Sequence, residues 1–214
     1  MQVHEPAAHA MEQRFATPLW SVADDEDQQL GVQVLRTPGD FAQIRHLRQH
    51  SASALEYELD PELASLEEIK DGIGVVWGIH LDGEFIATLR GIPVGFGVTL
   101  TERLWGEQAA DARILGAGSW EVGRLVIAPE RRAANLLPRL LNLVLREFLT
   151  MVDVRRFHAT CLAGMTRLYR RFGYSICAET VSHSGTRFAL IHGPVVDVAV
   201  ALGLSGREMP RRLY

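Results

Sequence analysis

The chain has 214 residues, which fits one domain of ordinary size with a tail but is cramped for two domains. Hydrophobic residues make up 47% and charged residues 22%, a balance that predicts a folded soluble protein and excludes a disordered or membrane-embedded one. The formal net charge of -4 excludes a general attraction to nucleic acid, so no nucleic-acid partner is predicted.

No targeting or membrane-spanning segment is predicted. The first 15 residues show neither the basic start nor the apolar core of a secretory signal. Apolar runs are interrupted by charge before the roughly 18 residues that a spanning helix needs, as Asp197 interrupts residues 194–204. We therefore expect a cytoplasmic protein without a membrane span.

The start of the chain predicts an arm followed by a single domain. Residues 1–30 are rich in Ala, Gln and acidic residues and carry little apolar periodicity, which predicts a flexible N-terminal arm. The domain is predicted to cover residues 31–214, beginning with a short strand at 32–35. A helix is predicted over residues 41–55, with Asp40 placed as its cap.

Six further strands are predicted from β-forming runs bounded by turn residues: 74–81, 84–92, 120–127, 155–161, 175–181 and 187–192. Asp82-Gly83 is typical of a two-residue hairpin turn, and Ser184-Gly185 predicts a turn between the last two strands.

Three helices are predicted between these strands. Residues 101–111 favour a short helix, and a longer one begins near Ala133 or Asn135 with Pro138 in its first turn. Residues 164–172 predict an amphipathic helix stopped by a glycine. This order of elements predicts an α/β (α+β) domain with a mixed sheet flanked by helices.

Three segments resemble the GNAT superfamily of acyltransferases over roughly residues 41–192. They are DGEFIATLR at 82–90, SWEVGRLVIAPERR at 119–132 and MTRLYRRFGY at 165–174. The resemblance implies a central sheet that splays between two strands.

Within that superfamily the chain resembles autoinducer (acyl-homoserine-lactone) synthases and N-acyl amino acid synthases. Glu121-Val122-Gly123-Arg124 resembles their Glu-x-x-Arg strand, and Arg90 begins an Arg-x-x-Pro match. Residues 47–62 lack the Trp that helps the lactone synthases bind S-adenosylmethionine, which disfavours lactone synthesis.

The resemblance implies roles for residues of the central strand. Glu121 is the predicted general base, and Gly123 tolerates a bulge that aims a backbone N–H at the thioester oxygen. Arg90 is predicted to hold the carboxylate of the acceptor, and Arg124 to anchor that carboxylate or Glu121 itself. Two alternatives stay open: Glu121 and Arg124 form a structural ion pair, or Arg90 is a surface strand residue. Leu125 and Val126 complete the predicted substrate-binding set.

The resemblance also implies roles for residues that lie beyond the Glu-x-x-Arg motif. Tyr169 matches the tyrosine that protonates the leaving thiolate, with a core aromatic as the alternative. The predicted phosphopantetheine-binding residues are Ile127, Arg131, Arg132, Ala134 and Asn135. Their segment lacks the glycines that cradle pyrophosphate in acetyl-CoA users, which suits a donor on acyl carrier protein; alternatively, the arginines merely solvate a helix start.

Other candidate residues are predicted to be structural. Cys161 and Cys177 lack metal spacing and are expected as small buried residues, and His158 has a structural role. His80, His183 and His192 are too scattered for a metal signature, so no metal site is predicted.

The predicted function is an N-acyltransferase that moves an acyl group from acyl carrier protein or CoA to the amine of an amino acid or a similar small molecule. No permanently bound cofactor is expected, and a homodimer is left open. The alternatives are an acetyl-CoA-dependent N-acetyltransferase and a catalytically silent domain that binds an acylated ligand.

Overall fold

The computed structural model of the chain describes residues 29–49, 54–132 and 136–205. Nearly all of the predicted N-terminal arm lies outside these residues. No helix among the described residues is long and apolar enough to cross a membrane.

The strands of the described residues form one seven-stranded sheet: β1 Leu30–Leu35, β2 Val75–Leu81, β3 Glu84–Pro93, β4 Ser119–Ile127, β5 Arg156–Leu162, β6 Ser175–Val181 and β7 Arg187–Pro194. Their order is β1-β2-β3-β4-β5-β7-β6. Neighbouring strands are antiparallel except for β4 and β5, which are parallel. The predicted mixed sheet is therefore confirmed.

The helices are mostly short: α1 Pro38–Gln43, α2 Arg45–Gln49, α3 Ala54–Leu59, α4 Pro61–Ala64, α5 Glu67–Ile73, α6 Leu100–Arg103, α7 Gly106–Asp111, α8 Leu137–Met151, α9 Thr166–Arg170 and α10 Val195–Ala201. Short 3-10 turns cover Pro129–Arg131 and Ala163–Met165.

The predicted helix over residues 41–55 is divided in the structure. Thr37, and not Asp40, is the N-cap of α1: its side chain accepts from the Asp40 N–H at 3.2 Å, and the Asp40 carboxylate accepts from the Thr37 N–H at 2.9 Å. This reciprocal capping box places Asp40 inside the first turn. The helix then ends at Ile44, whose backbone leaves the helical region, so α1 and α2 are separate.

The two-residue turn between β2 and β3 is confirmed. Asp82 and Gly83 both have positive φ, 52° and 87°, which is the backbone of a type I′ turn and matches the twist of the two strands. Pro138 is also where it was predicted, in the first turn of α8, where its missing N–H costs no hydrogen bond.

The longest helix, α8, packs across one face of the sheet. Phe148 of α8 lies at the centre of this core, with its ring centroid 4.9 Å from Trp77, 4.8 Å from Trp120 and 5.5 Å from Phe157. The C-terminal helix α10 buries Val195 and Val198 in the same cluster, so the segment after β7 covers the core.

The opposite face of the sheet carries the short helices α3 to α7. Leu63 of α4 and Leu100 of α6 pack around Ile92 of β3. Trp105, which directly precedes α7, and Ala109 of α7 pack on Phe188 and Leu190 of β7. The polar site described below lies on this face, which we call the short-helix face.

Candidate active site

The sheet opens between its two parallel strands. Backbone pairing of β4 with β5 covers three positions and ends where Glu121 faces His158. Beyond this point β4 continues to Ile127 and pairs with β3 alone among the described strands. The predicted splay is thus confirmed, and it leaves backbone groups of β4 facing a gap and not a strand.

A β-bulge follows directly on β4. Arg90 of β3 pairs with Gly123 and Thr88 pairs with Val126, so two residues of β4 face one residue of β3. The predicted position of the bulge was wrong by one residue, because the residue with a positive φ is Arg124, at 53°, and not Gly123. The bulge changes the alternation of side chains, so that Arg124 lies on the short-helix face together with Glu121.

Gly123 lies beside open space. A Cβ atom added at this glycine would meet nothing within 4 Å, in contrast to the glycines packed in the sheet core, such as Gly78. No protein contact therefore prevents a small side chain at this position, and the space beside the strand is available to a ligand.

Glu121 is buried and held by the start of α6. The carboxylate accepts from the Thr101 N–H at 2.8 Å and the Thr101 hydroxyl at 2.7 Å, and its other oxygen accepts from the Leu100 N–H at 3.3 Å. Burial raises the pKa of Glu121, and the nearby charge of Glu56 acts in the same direction, while the hydrogen bonds from Thr101 oppose the rise. A carboxylate with a raised pKa is a stronger base than an exposed one.

The chain of hydrogen bonds continues to the next strand. Thr101 Oγ1 lies 2.8 Å from Nδ1 of His158, which is fully buried on β5. Burial lowers the pKa of His158 to about 3, so the imidazole is neutral at physiological pH. Its Nε2 is buried and has no hydrogen-bond partner among the described residues.

Thr101 was missed by the sequence interpretation. It lies 20 positions before Glu121 in the Gly-rich segment between β3 and β4, and only the short predicted helix marked this region. The available signal was Thr99-x-x-Glu102, a capping pattern that fixes where α6 begins and so where Thr101 points.

Arg124 does not pair with Glu121. Its guanidinium binds Glu67 of α5, and Arg90 binds Glu67 at 3.3 Å and Asp71 at 3.0 Å. Arg90 is only 2% exposed, so the alternative of a surface strand arginine is wrong as well. The pairing of Arg124 with Glu67 and the burial of Arg90 have one cause. Helix α5 lies over this part of the sheet, and its carboxylates Glu67 and Asp71 are four residues apart on one face of the helix.

These pairs belong to a larger group, here called the arginine cluster, made of Arg48, Glu56, Glu67, Lys70, Asp71, Arg90 and Arg124. Lys70 is fully buried and binds Glu56 at 2.8 Å. Burial acts to raise the pKa of Glu67, but the charges of Arg90 and Arg124 outweigh it and lower that pKa. Neither Glu67 nor Asp71 was among the predicted site residues.

The remaining predicted substrate residues of β4 are core side chains. Val126 is buried against Leu35 and Val76, and Leu125 packs against the core on the α8 side. Only the backbone of Val126 is therefore available for contact with a substrate. The predicted binding roles of both residues remain predictions.

The predicted phosphopantetheine-binding residues lie where β4 ends. Arg132 is exposed, and its Nε donates to the carbonyl of Ile127 at 3.1 Å. Arg131 is partly exposed, and its nearest carboxylate is Glu84 at 3.9 Å. Ala134 and Asn135 lie outside the described residues.

Tyr169 lies on the other side of the sheet from the Glu121 side chain. Its ring packs edge-on against Phe172 and Tyr174, and it shares an apolar cluster with Cys161. Alternation along β5 puts Cys161 on the face opposite His158. Burial raises the pKa of Tyr169 to about 12, so the phenol keeps its proton at physiological pH. The structure thus shows a core aromatic, and the proton-donor role remains a prediction.

A family model indicates the family of the chain, and solved structures indicate its fold. A family model described as N-acyl amino acid synthase FeeM matches residues 58–191. The solved structure of FeeM, an N-acyl amino acid synthase from uncultured soil microbes, has a TM-score of 0.63 at 14% identity, covering 79% of this chain and 92% of that chain. No curated protein sequence matches the chain.

Two further solved structures share the fold. The AHL synthase LasI has a TM-score of 0.57 at 14% identity, covering 82% of this chain and 93% of that one. A chimera of spermidine N-acetyltransferase SpeG from Vibrio cholerae and hSSAT has a TM-score of 0.53 at 17% identity, covering 79% and 98%. The GNAT-like fold inferred from the sequence is confirmed.

Proposed function

Because the chain belongs to the N-acyl amino acid synthase FeeM family of acyltransferases, we propose that it joins the acyl group of a thioester to the amine of an amino acid. The observation that carries the proposal is the position of Glu121. A buried, hydrogen-bonded carboxylate of raised pKa stands at the last paired position before β4 and β5 separate.

In this proposal the acyl thioester occupies the gap between β4 and β5. Its carbonyl oxygen accepts a hydrogen bond from a backbone N–H of β4 beyond Glu121, which stabilises the negative charge that develops there. The neutral amine attacks the carbonyl carbon, an N–C bond forms and the C–S bond breaks. Glu121 takes the proton from the amine, and the thiolate leaves toward Tyr169 on the other face, which supplies its proton.

The arginine cluster supports an amino acid as the acceptor. An amino acid carries a carboxylate beside its amine, and guanidinium groups bind carboxylates in a fixed, bidentate geometry. Arg90 and Arg124 lie on the same face as Glu121, and their shared partner Glu67 is one quarter exposed, so this end of the cluster reaches solvent. We place the carboxylate of the acceptor at this end, next to Glu67.

Acyl carrier protein is the donor that best fits the end of β4. The carrier presents one phosphate on its phosphopantetheine arm, and Arg131 and Arg132 meet it without a glycine-rich loop. CoA brings a pyrophosphate that needs close backbone approach, which this segment is less suited to give.

Mass spectrometry of lipid extracts tests the proposal and identifies both substrates. Cells expressing the wild-type chain should contain N-acyl amino acids that are missing from cells expressing Glu121→Gln. The substitution keeps the shape of the side chain and removes its basicity, and we expect turnover to fall by about 100-fold or more. The variant should be equally abundant in the cells, which shows that it folds.

Three results would count against the proposal. Extracts without N-acyl products from either strain would favour a silent binding domain, and N-acetylated amines in place of long-chain products would favour an acetyl-CoA enzyme. Products that persist in the Glu121→Gln strain would remove Glu121 from the mechanism.

A further inference from the structure

The hydroxyl group of Thr101 lies between the proposed base and a buried histidine. Its oxygen is 2.7 Å from the carboxylate of Glu121 and 2.8 Å from Nδ1 of His158. Glu121 is 7% exposed and His158 is fully buried, so little solvent competes for these two contacts. The direction of both hydrogen bonds is therefore decided by the three side chains themselves.

A hydroxyl group carries a single hydrogen, so Thr101 donates to one of these two partners at a time. In a first arrangement, Thr101 donates to an ionised Glu121 and accepts from an N–H at Nδ1 of His158. In a second, a protonated Glu121 donates to Thr101, and Thr101 donates to Nδ1, which leaves the hydrogen of the neutral imidazole at Nε2. The protonation state of Glu121 and the tautomer of His158 are thus linked through Thr101.

Two observations favour the first arrangement. The backbone N–H groups of Thr101 and Leu100 also donate to the Glu121 carboxylate, at 2.8 Å and 3.3 Å, and such donors favour the ionised form. Nε2 of His158 is buried and has no hydrogen-bond partner among the described residues. In the first arrangement this atom is an acceptor, whereas in the second it is a buried N–H donor without a partner, which is rarer in proteins.

We propose that Thr101 and His158 are positioning residues that keep Glu121 ionised. His158 donates from Nδ1 to Thr101, and this directs the hydroxyl hydrogen of Thr101 to the carboxylate. His158 takes up no proton in this role. The inference rests on the proposed function, in which Glu121 is the base.

The charges around Glu121 explain why the carboxylate needs this support. Burial raises the pKa of Glu121, and the charge of Glu56 on α3 acts in the same direction. Arg90 and Arg124 lie on the same face of the sheet, but their guanidinium groups are bound to Glu67. The hydrogen bonds from α6 are therefore the contacts that support the ionised form.

His158 is suited to this role because it stays neutral. Burial lowers its pKa to about 3, and His192 and Arg156 act in the same direction, while Glu102 acts in the opposite one. A neutral imidazole has one N–H donor and one acceptor nitrogen, so its tautomer decides whether Thr101 accepts from it or donates to it. The histidine therefore does not titrate in the pH range in which acyl transfer is measured.

Substitutions at Thr101 and His158 test whether the hydroxyl sets the ionisation of Glu121. Thr101→Val removes the hydroxyl at nearly constant shape, and Thr101→Ser keeps it. His158→Phe removes the ring nitrogens and frees the hydroxyl to turn away from the carboxylate. Thr88→Val is the matched control, because Thr88 is fully buried and its hydroxyl has no hydrogen-bond partner among the described residues.

The first measurement is kcat/KM for acyl transfer between about pH 5 and pH 9, which reports the pKa of the base in the free enzyme. We expect the acid limb to move up by about one pH unit in Thr101→Val and by less in His158→Phe, because a hydrogen bond to the charged form is lost or weakened. Relative to wild type, Thr101→Val then loses about tenfold in kcat/KM at the acid end and little at the alkaline end. Ionisation of the acceptor amine is the same in every variant and cancels in this comparison.

The two control variants should leave this pH profile in place. Thr101→Ser and Thr88→Val should stay within about twofold of wild type at every pH. A kcat/KM of Thr101→Val that falls by the same factor at every pH would overturn the proposal, because a merely structural contact lowers the rate without changing the ionisation of the base.

The second measurement is the tautomer of His158, read from NMR spectra of the histidine ring nitrogens in the absence of substrate. We expect the hydrogen on Nδ1 on the alkaline side of neutral pH, in a signal that His158→Phe identifies by its loss. A hydrogen on Nε2 under these conditions would overturn the proposal even if Thr101→Val fails to fold. Failure of the proposed function looks different, because Glu121→Gln would then be active or the wild-type chain would show no acyl transfer, whatever the tautomer of His158.

Discussion

His158 is held as a neutral imidazole, and this makes one contribution to the pH dependence of the protein's stability. Its pKa is about 3 in the folded protein, against about 6.5 in an unfolded chain, so the unfolded state binds more protons below pH 6.5. The free energy of unfolding therefore decreases as the pH falls from about 6.5 toward 3, and the part due to His158 is about 2 kcal/mol between pH 7 and pH 5. Glu121, whose pKa is raised, contributes with the opposite sign.

Comparing His158→Asn with wild type isolates the histidine, because Glu121 is present in both. Denaturant unfolding at pH 7 and pH 5 should show a smaller loss of stability in the variant. His183→Asn, in the exposed turn between β6 and β7, is the control and should follow wild type. An equal loss in His158→Asn and wild type would mean that His158 is not neutral in the folded protein.

Individual site residues differ in how far the sequence predicts them. Glu121 and Arg124 stand in a recognisable motif on one strand, so their candidacy needs no tertiary information. Thr101, Glu67 and Asp71 come from other segments, and only the packing of α5 and α6 on the sheet brings them to that strand. For the same reason the predicted pairing of Arg124 with Glu121 was wrong.

The candidate site depends on β4 and the gap beside it, and a substitution at Gly123 tests whether substrate occupies that gap. Gly123→Ala adds a methyl group that meets no protein atom, so the unfolding temperature should equal or slightly exceed that of wild type. The methyl group occupies space that we assign to substrate, and kcat/KM should fall by about tenfold or more. Thermal unfolding and steady-state kinetics measure the two effects.

Gly106→Ala is the control for this substitution. It also adds a methyl group into open space, but at the start of α7. Its kinetics should match wild type, and wild-type kinetics in Gly123→Ala as well would show that no substrate passes beside Gly123.

Strands were predicted more closely than helices. Runs of β-forming residues end at turn residues such as Asp82-Gly83, and β3 and β4 lie within about one residue of their predicted bounds. The predicted helix over residues 41–55 instead begins earlier, after the Thr37 cap, and is divided at Ile44. The bulge could not be placed, because a glycine marks where a bulge is tolerated but the pairing with β3 decides which residue takes the positive φ.

At the scale of the whole molecule, our proposal places the docking site of a carrier protein at the end of β4. Arg131→Glu reverses a charge on this surface, where the nearest carboxylate is 3.9 Å away. We expect KM for an acyl carrier protein donor to rise by about tenfold, less so at high salt, because charge attraction steers the encounter. KM for the same acyl group on free pantetheine should not change.

Arg187→Glu is the matched control on the distant β6–β7 hairpin, where Arg187 is also exposed and paired with a carboxylate. Equal KM changes in both variants would indicate a general charge effect and not a docking surface.

The topology of the sheet follows from the sequence only in part. The order of strands and helices indicated a mixed sheet, and the GNAT resemblance supplied the splay, but neither indicated where the pairing of β4 and β5 ends. That point lies at Glu121 and His158.

The most direct test of acyl transfer to an amino acid is an assay with the purified protein. Long-chain acyl thioesters on acyl carrier protein and on CoA, and acetyl-CoA, are each incubated with a mixture of amino acids and with the matching decarboxylated amines, and products are identified by mass spectrometry. We predict long-chain N-acyl amino acids, little product from the decarboxylated amines because they lack the carboxylate that we place at the arginine cluster, and at least about 100-fold less product with Glu121→Gln. Acylated amines formed as readily as acylated amino acids, or product formed equally by Glu121→Gln, would contradict the account.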